Sequence, residues 1–386
     1  MTLSTLWANI VEKLAYDPQS PMIFSSGTFW ALFLLFMPIY ALLKRSRMKM
    51  VLYVVAFSLY FYYKSSGIFF LLIIATSIID YLLSLLLARR EKEWQRKLCV
   101  LLSVCISLGV LGYFKYANFI MASWADIVGS NFQPLDIILP VGISFYTFQS
   151  ISYIVDVYRR RIEPTDSWLE YIFFLSFFPA LVAGPIVRAD HFLPQIKANR
   201  VPERSEVWMG FWLILLGIIK KALLADYIAQ YNDIVFTTPE TYTGFENLMA
   251  MFGYTMQIYC DFSGYSDMAI GIALIMGFTL PQNFNLPYKS QNVTEFWRRW
   301  HISLSSWLRD YLYISLGGNR KGKVRTYVNN FITMLIGGLW HGVGMTFIAW
   351  GLLHGVALAL HKVWLGVVPW AKTLGRDMGV LRRIGA

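Results

Sequence analysis

Apolar residues run through the chain in long blocks separated by short polar or basic stretches. The blocks read as 25–43, 49–64, 66–88, 98–121, 136–158, 168–188, 206–230, 245–278, 327–344 and 346–366. Most match the length a helix needs to cross a hydrocarbon layer of about 30 Å. They predict an all-α polytopic membrane protein with its core over 21–366. Ahead of it, Leu3, Leu6, Trp7, Ile10 and Leu14 share one helical face, which predicts an interfacial helix within 1–20. The sixth block breaks the rhythm, with Pro179, Gly184 and Pro185 inside an apolar run. Proline removes a helical hydrogen bond, and backbone freed at membrane depth needs protein or a water-filled cavity around it. A bent or re-entrant segment lining a cavity follows. The largest polar stretch, 281–326, is also patterned. Phe296, Trp300, Leu304, Trp307 and Tyr311 recur every three or four residues and predict one amphipathic helix over 293–313.

Composition supports the membrane reading. Hydrophobic residues make up 56% of the 386, and charged residues only 15%, too few to cover the outside of a soluble protein of this size. The 34 Lys and Arg exceed the 23 Asp and Glu by +11. These cations sit between apolar blocks rather than in a nucleic-acid-binding patch, so the surplus reads as loops held at the cytoplasmic face. With the N-terminus outside, the clusters Lys44 to Lys49, Arg89 to Lys97 and Arg159 to Arg161 all fall in the cytoplasm. With a re-entrant sixth block, 281–326 and the tail 367–386 join them. The three cysteines, Cys99, Cys105 and Cys260, form no disulfide framework and no zinc spacing. No metal site is expected.

Five histidines occur. His341 lies in Gly337-Gly338-Leu339-Trp340-His341-Gly342, roughly 20 Å along a span that begins near Tyr327. An ionisable group at that depth is costly and marks a functional position. His301 lies in the patterned stretch, within Trp297-Arg298-Arg299-Trp300-His301. Arg298, Arg299, Arg309 and Lys289 make a basic mouth suited to a phosphorylated or nucleotide-bearing donor, with Trp297 and Trp300 as flat apolar walls. A tryptophan-rich basic helix in lipid headgroups is the competing reading. Tyr259, Asp261, Tyr265 and Asp267 read as polar groups near a helix break, lining a cavity or pairing with arginines. The sequence contains no nucleotide phosphate loop, HExxH or GxSxG elbow. Pattern alone leaves a transporter open, since broken helices and a buried histidine serve both.

The runs LPVGISFYTFQSISYIVDVYR (139–159), FFPALVAGPIVR (177–188), QIYCDFSGYSDMAIG (257–271), NFNLPY…FWRRWHISLSSWLRDYLYISLGGNR (283–320) and LWHG…FIAWGLLHG (339–355) resemble the membrane-bound O-acyltransferases. They are most similar to the bacterial branch that acetylates exopolysaccharides such as alginate. The likeness runs in order from Met22 to His361. It implies a bundle of about 9–11 transmembrane or re-entrant helices around a central tunnel in the bacterial inner membrane. It implies that His341 is the catalytic histidine and His301 a second one at the cytoplasmic side. It also implies an acyl thioester co-substrate such as acetyl-CoA, with no bound cofactor. The acceptor would be an extracytoplasmic polysaccharide or a partner acetyltransferase. D-alanyl transfer and acyl transfer to lipid or protein stay open within the family. Relatives usually continue with further apolar helices, so the tail ending at Ala386 reads as a short branch or a truncated chain.

Overall fold

The computed structural model describes residues 13–368. The predicted interfacial helix, apart from Leu14, and nearly all of the tail 367–386 lie outside the described residues. Among the described residues no strand occurs, and two compact units form. One lies within Met1–Phe114 and Ile138–Pro281, the other within Lys115–Ile137 and Gln282–Ala386.

The first unit starts with α1 (Gly27–Leu43), capped by the Ser26 hydroxyl accepting from the Phe29 N–H. α2 (Arg47–Ser66) and α3 (Phe70–Arg89) follow, divided at Gly67 (φ +61°). α4 (Glu93–Leu111) runs into a π-helical segment, Gly112–Tyr116, and then into α5 (Ala117–Val128), which belongs to the second unit. α6 (Ile143–Tyr158) is only 16 residues long. The sixth block is broken, as its prolines require. α7 (Trp168–Ser176) stops at Phe177, the single turn α8 (Phe178–Leu181) carries Pro179, and 182–188 are not helical. Phe178 at the break packs against Phe29, Phe36, Phe57 and Phe61, so apolar contacts cover the kink. α9 (Ala189–Ala198) leads to α10 (Arg204–Ile218), a second π-helical segment (Ile219–Ala225) and α11 (Asp226–Thr237).

The longest element is α12 (Gly244–Met276), 33 residues begun by a capping box between Thr243 and Glu246 and ended at Gly277. The expected break near Tyr259 to Asp267 is absent, because Gly264 is used for packing and not for turning. A Cβ on Gly264 would stand 2.8 Å from the Gly217 carbonyl, and one on Gly271 would stand 2.5 Å from that of Gly210. Two glycine pairs therefore bring α10 and α12 into backbone contact, as small residues do between membrane helices. The carboxylates of this region pair with lysines rather than arginines. Asp267 meets Lys220 at 2.6 Å, and Lys221 bridges Asp226 (2.7 Å) and Asp261 (2.5 Å).

The second unit holds α13 (Val293–Arg299), α14 (Ile302–Trp307), a π-helical segment (Leu308–Tyr313), α15 (Lys323–His341) and α16 (Met345–Val367). The single helix expected over 293–313 is thus two short helices broken at Trp300 and His301. Among the described residues, four stretches are helical, long and apolar enough to cross a membrane by themselves: Arg47–Arg89, Glu93–Val128, Arg204–Thr237 and Met345–Val367. Large apolar side chains on their outer faces, such as Leu82, Leu101, Leu223 and Leu353, stand exposed. An apolar exterior of that extent is stable only in lipid. The chain is a multi-pass membrane protein.

Candidate functional site

Asn283 makes the break in the patterned stretch. Its side-chain oxygen accepts from the Ser303 N–H (3.3 Å) and hydroxyl (2.6 Å), and its carbonyl accepts from the Ile302 N–H (2.9 Å). Two residues on, the Asn285 N–H donates to the Arg299 carbonyl (2.9 Å). The segment before α13 therefore grips both sides of residue 301. His301 takes a left-handed backbone, φ +43° and ψ +55°, which costs a non-glycine residue on the order of 1–3 kcal/mol and persists only under such constraint. Its side chain is fully buried. Burial first, and the nearby His341 second, push the imidazole well below the ordinary histidine range, toward its uncharged form.

His341 is the last residue of α15. Its ring centroid lies 5.9 Å from that of His301, with Trp340 5.7 Å from His301 and 5.0 Å from His341. Two glycines seat α15 against α16. A Cβ on Gly338 would fall 2.4 Å from the Phe347 carbonyl, and one on Gly351 would fall 2.7 Å from that of Met334. This close approach brings Trp350 within 5.2 Å of the His341 ring. Trp350 in turn lies 4.5 Å from His354 and 5.6 Å from Trp297. Unlike His301, His341 is exposed and lines a cavity of about 500 Å³.

Of the other residues singled out in the sequence, Trp297, Arg298 and Arg309 line the cavity. Trp300 is buried instead, stacked on Phe296 and edge-on to Phe284. Arg299 is committed elsewhere: its guanidinium meets Glu295 at 2.7 Å and the Asn285 carbonyl at 3.2 Å. Lys289 ends the short turn Pro287–Lys289 and is not a cavity residue. Sequence reasoning missed Lys362, which joins Arg298 and Arg309 on the wall. It also missed Trp350 and His354, whose spacing of four on an apolar helix was a legible signal. No carboxylate stands among the described residues that line the cavity. Two lining residues, Trp297 and Asn330, each bury a donor nitrogen with no protein acceptor among the described residues. The wall offers the cations Arg298 and Lys362, a third, Arg309, that is already paired with Asp310 at 2.7 Å, and flat apolar faces, with a histidine at one point of it. Such a lining receives an anion-bearing ligand and leaves a base beside it.

Residues 160–382 match the sequence model of MBOAT, the membrane-bound O-acyltransferase family. That is more than half the chain, and it contains both α13 to α16 and the two histidines. The chain belongs to the membrane-bound O-acyltransferase family. It is similar to the probable alginate O-acetylase AlgI of Pseudomonas aeruginosa, 45% identical over 354 residues that cover 90% of this chain and 67% of that protein. It is 38% identical to the peptidoglycan O-acetyltransferase of Helicobacter pylori over 339 residues, 81% of this chain and 64% of that one. The teichoic acid D-alanyltransferase of Bacillus subtilis is more distant, 32% identical over 240 residues, 59% of this chain and 60% of that protein. The chain spans about two thirds of the length of the first two relatives. As a member of this family it is an acyltransferase, which removes the transporter reading.

Proposed function

We propose that this chain is an O-acetyltransferase of the bacterial inner membrane. It takes acetyl from a cytoplasmic thioester of the acetyl-CoA class and passes it to an extracytoplasmic polysaccharide, directly or through a partner acetyltransferase. The observation that carries this reading is the placement of His341 on a cavity whose wall holds Arg298, Arg309 and Lys362 and no carboxylate. Phosphates of the donor would meet those cations, with Trp297 and Trp350 against its apolar portion. Acetyl rather than D-alanyl is favoured by the greater identity and coverage of the O-acetylating relatives.

In the reaction, the acceptor hydroxyl oxygen attacks the thioester carbonyl while a ring nitrogen of His341 takes the hydroxyl proton. The resulting tetrahedral oxyanion collapses with cleavage of the C–S bond, and the departing thiolate recovers the proton from His341. A new C–O ester replaces the C–S ester, and no covalent enzyme intermediate is needed. General-base assistance of this kind contributes roughly 10²–10⁴ in rate. His301, buried and pushed toward its uncharged form, supports the His341 ring from the protein side.

The test uses membranes containing the full chain, with radiolabelled acetyl-CoA as donor and the cell's own glycan fraction as acceptor. His341→Gln should lower acetyl transfer by about 10² or more at an unchanged level of membrane protein. Retained turnover in a folded His341→Gln variant would remove this histidine from the mechanism.

A further inference from the structure

A helix leaves its last four carbonyls without intrahelical partners. In α15, which ends at the proposed base, these belong to Gly338, Leu339, Trp340 and His341. The Gly342 N–H reaches the first of them, at 3.4 Å. The next two are taken by side chains from a part of the chain more than 200 residues away. The Tyr116 hydroxyl donates to the Leu339 carbonyl at 2.6 Å, and the Lys115 ammonium donates to the Trp340 carbonyl. The Lys115 ammonium also lies 5.7 Å from the Trp340 ring and 5.6 Å from that of Tyr116.

Three features set this contact apart from ordinary packing. Lys115 stands inside Glu93–Val128, one of the stretches long and apolar enough to cross a membrane, where an ammonium is costly without a dedicated partner. Both donors sit at the end of a π-helical segment, Gly112–Tyr116. Such segments are rare, recur at functional sites, and shift the register so that neighbouring residues reach neighbouring carbonyls. Finally, the charge has the right sign for its place, because a cation at a helix C-terminus opposes the negative end of the helix dipole.

We propose that Lys115 and Tyr116 are positioning residues for the acyl-transfer site, clamping the last turn of α15 so that His341 is held at the cavity wall. Without the clamp, two part-buried carbonyls lose their partners, the final turn frays, and the imidazole samples orientations that miss the acceptor hydroxyl. The proposal rests on the reading of His341 as the base, and the test separates the two. The clamp should set the orientation term and not donor binding, since neither residue lines the cavity.

The experiment compares full-length Lys115→Met, Lys115→Arg and Tyr116→Phe with the parent protein in detergent. The first readout needs no activity: the rate at which diethyl pyrocarbonate modifies His341, followed by peptide mass spectrometry. Lys115→Met should change that rate at least about fivefold, and Lys115→Arg should restore it to within about twofold. The second readout is acetyl transfer from acetyl-CoA to the glycan fraction. Lys115→Met should lower kcat about tenfold or more and leave the KM for acetyl-CoA within about twofold, and it should add no further loss to His341→Gln. An unchanged modification rate, or a Lys115→Met loss that multiplies with that of His341→Gln, would overturn the clamp. If His341→Gln keeps its turnover, the base assignment fails while the modification rates still decide the clamp. Should Lys115→Met not reach the membrane, Tyr116→Phe, which removes one oxygen, carries the same comparison.

Discussion

At the scale of single residues, two arginines adjacent in sequence have different fates. Arg298 and Arg299 read as equivalent members of one basic mouth, yet only Arg298 lines the cavity. Arg299 lies one helical turn after Glu295 and satisfies it, as an i,i+4 pair on a short helix will. The sequence spacing already contained that pair, but a mouth defined by charge alone hid it. Arg298→Glu should therefore raise the apparent KM for acetyl-CoA at least about tenfold at low salt, with the difference shrinking as ionic strength rises. Arg299→Glu should chiefly weaken the turn before His301 and leave that KM within about threefold. Donor titrations of both variants at two salt concentrations check this. A larger KM effect from Arg299→Glu would return the donor contact to that residue. His341 was singled out for a simpler reason, since an ionisable group in an apolar span is costly, while His301 drew notice only through its arginine and tryptophan neighbours. Lys115, Asn283 and Lys362 were not legible. The first two act through partners distant in sequence, Lys362 reaches the wall from the far end of a different helix, and no local pattern encodes such placements.

At the scale of elements, hydrophobic periodicity located the helical stretches well and their breaks less well. The apolar repeat through Phe296, Trp300, Leu304, Trp307 and Tyr311 continues across His301, and four of these five side chains are buried. The break between α13 and α14 comes from Asn283, eighteen residues upstream in the chain, and leaves the repeat intact. In α12 the opposite holds. A helix break was expected near the polar residues Tyr259 to Asp267, but the helix runs through and Gly264 serves close packing against Gly217. Pro179 stands in the first turn after a break, where its missing N–H is tolerated, whereas Pro38 lies inside the unbroken α1. The same logic makes Gly338 the most sensitive position in α15. A side chain there meets backbone, 2.4 Å from the Phe347 carbonyl and 3.0 Å from Gly351. Gly338→Val should cost on the order of 3 kcal/mol or more by overpacking and sharply reduce monodisperse protein on size-exclusion chromatography. Gly337→Ala should be tolerated, since its new Cβ meets only the flexible end of Leu308 at 3.2 Å. Equal recovery of both variants would contradict the packing described for α15 and α16.

At the scale of the whole molecule, basic punctuation and apolar block length gave the membrane class, and the resemblance gave the family. Block counting located helical stretches of unequal kind: among the described residues four are long and apolar enough to cross a membrane by themselves, whereas α6 has 16 residues and the sixth block is broken. The orientation drawn from the basic clusters gives a direct expectation. In a chain with Cys99, Cys105 and Cys260 replaced, single cysteines at Asp126 and Glu240 should react with an impermeant thiol reagent added to intact cells, and cysteines at Arg160 and Arg320 should not. Labelling at position 320 from outside would invert the site relative to its donor. The central claim is that this chain esterifies a surface glycan through His341. Its most direct measurement is mass spectrometry of ester-linked acetyl on surface glycans from cells lacking the gene, complemented either with the parent chain or with His341→Gln at equal membrane abundance. Acetyl should be lost without the gene, restored by the parent, and absent with His341→Gln. Unchanged acetylation in cells lacking the gene, or full restoration by His341→Gln, would contradict the account.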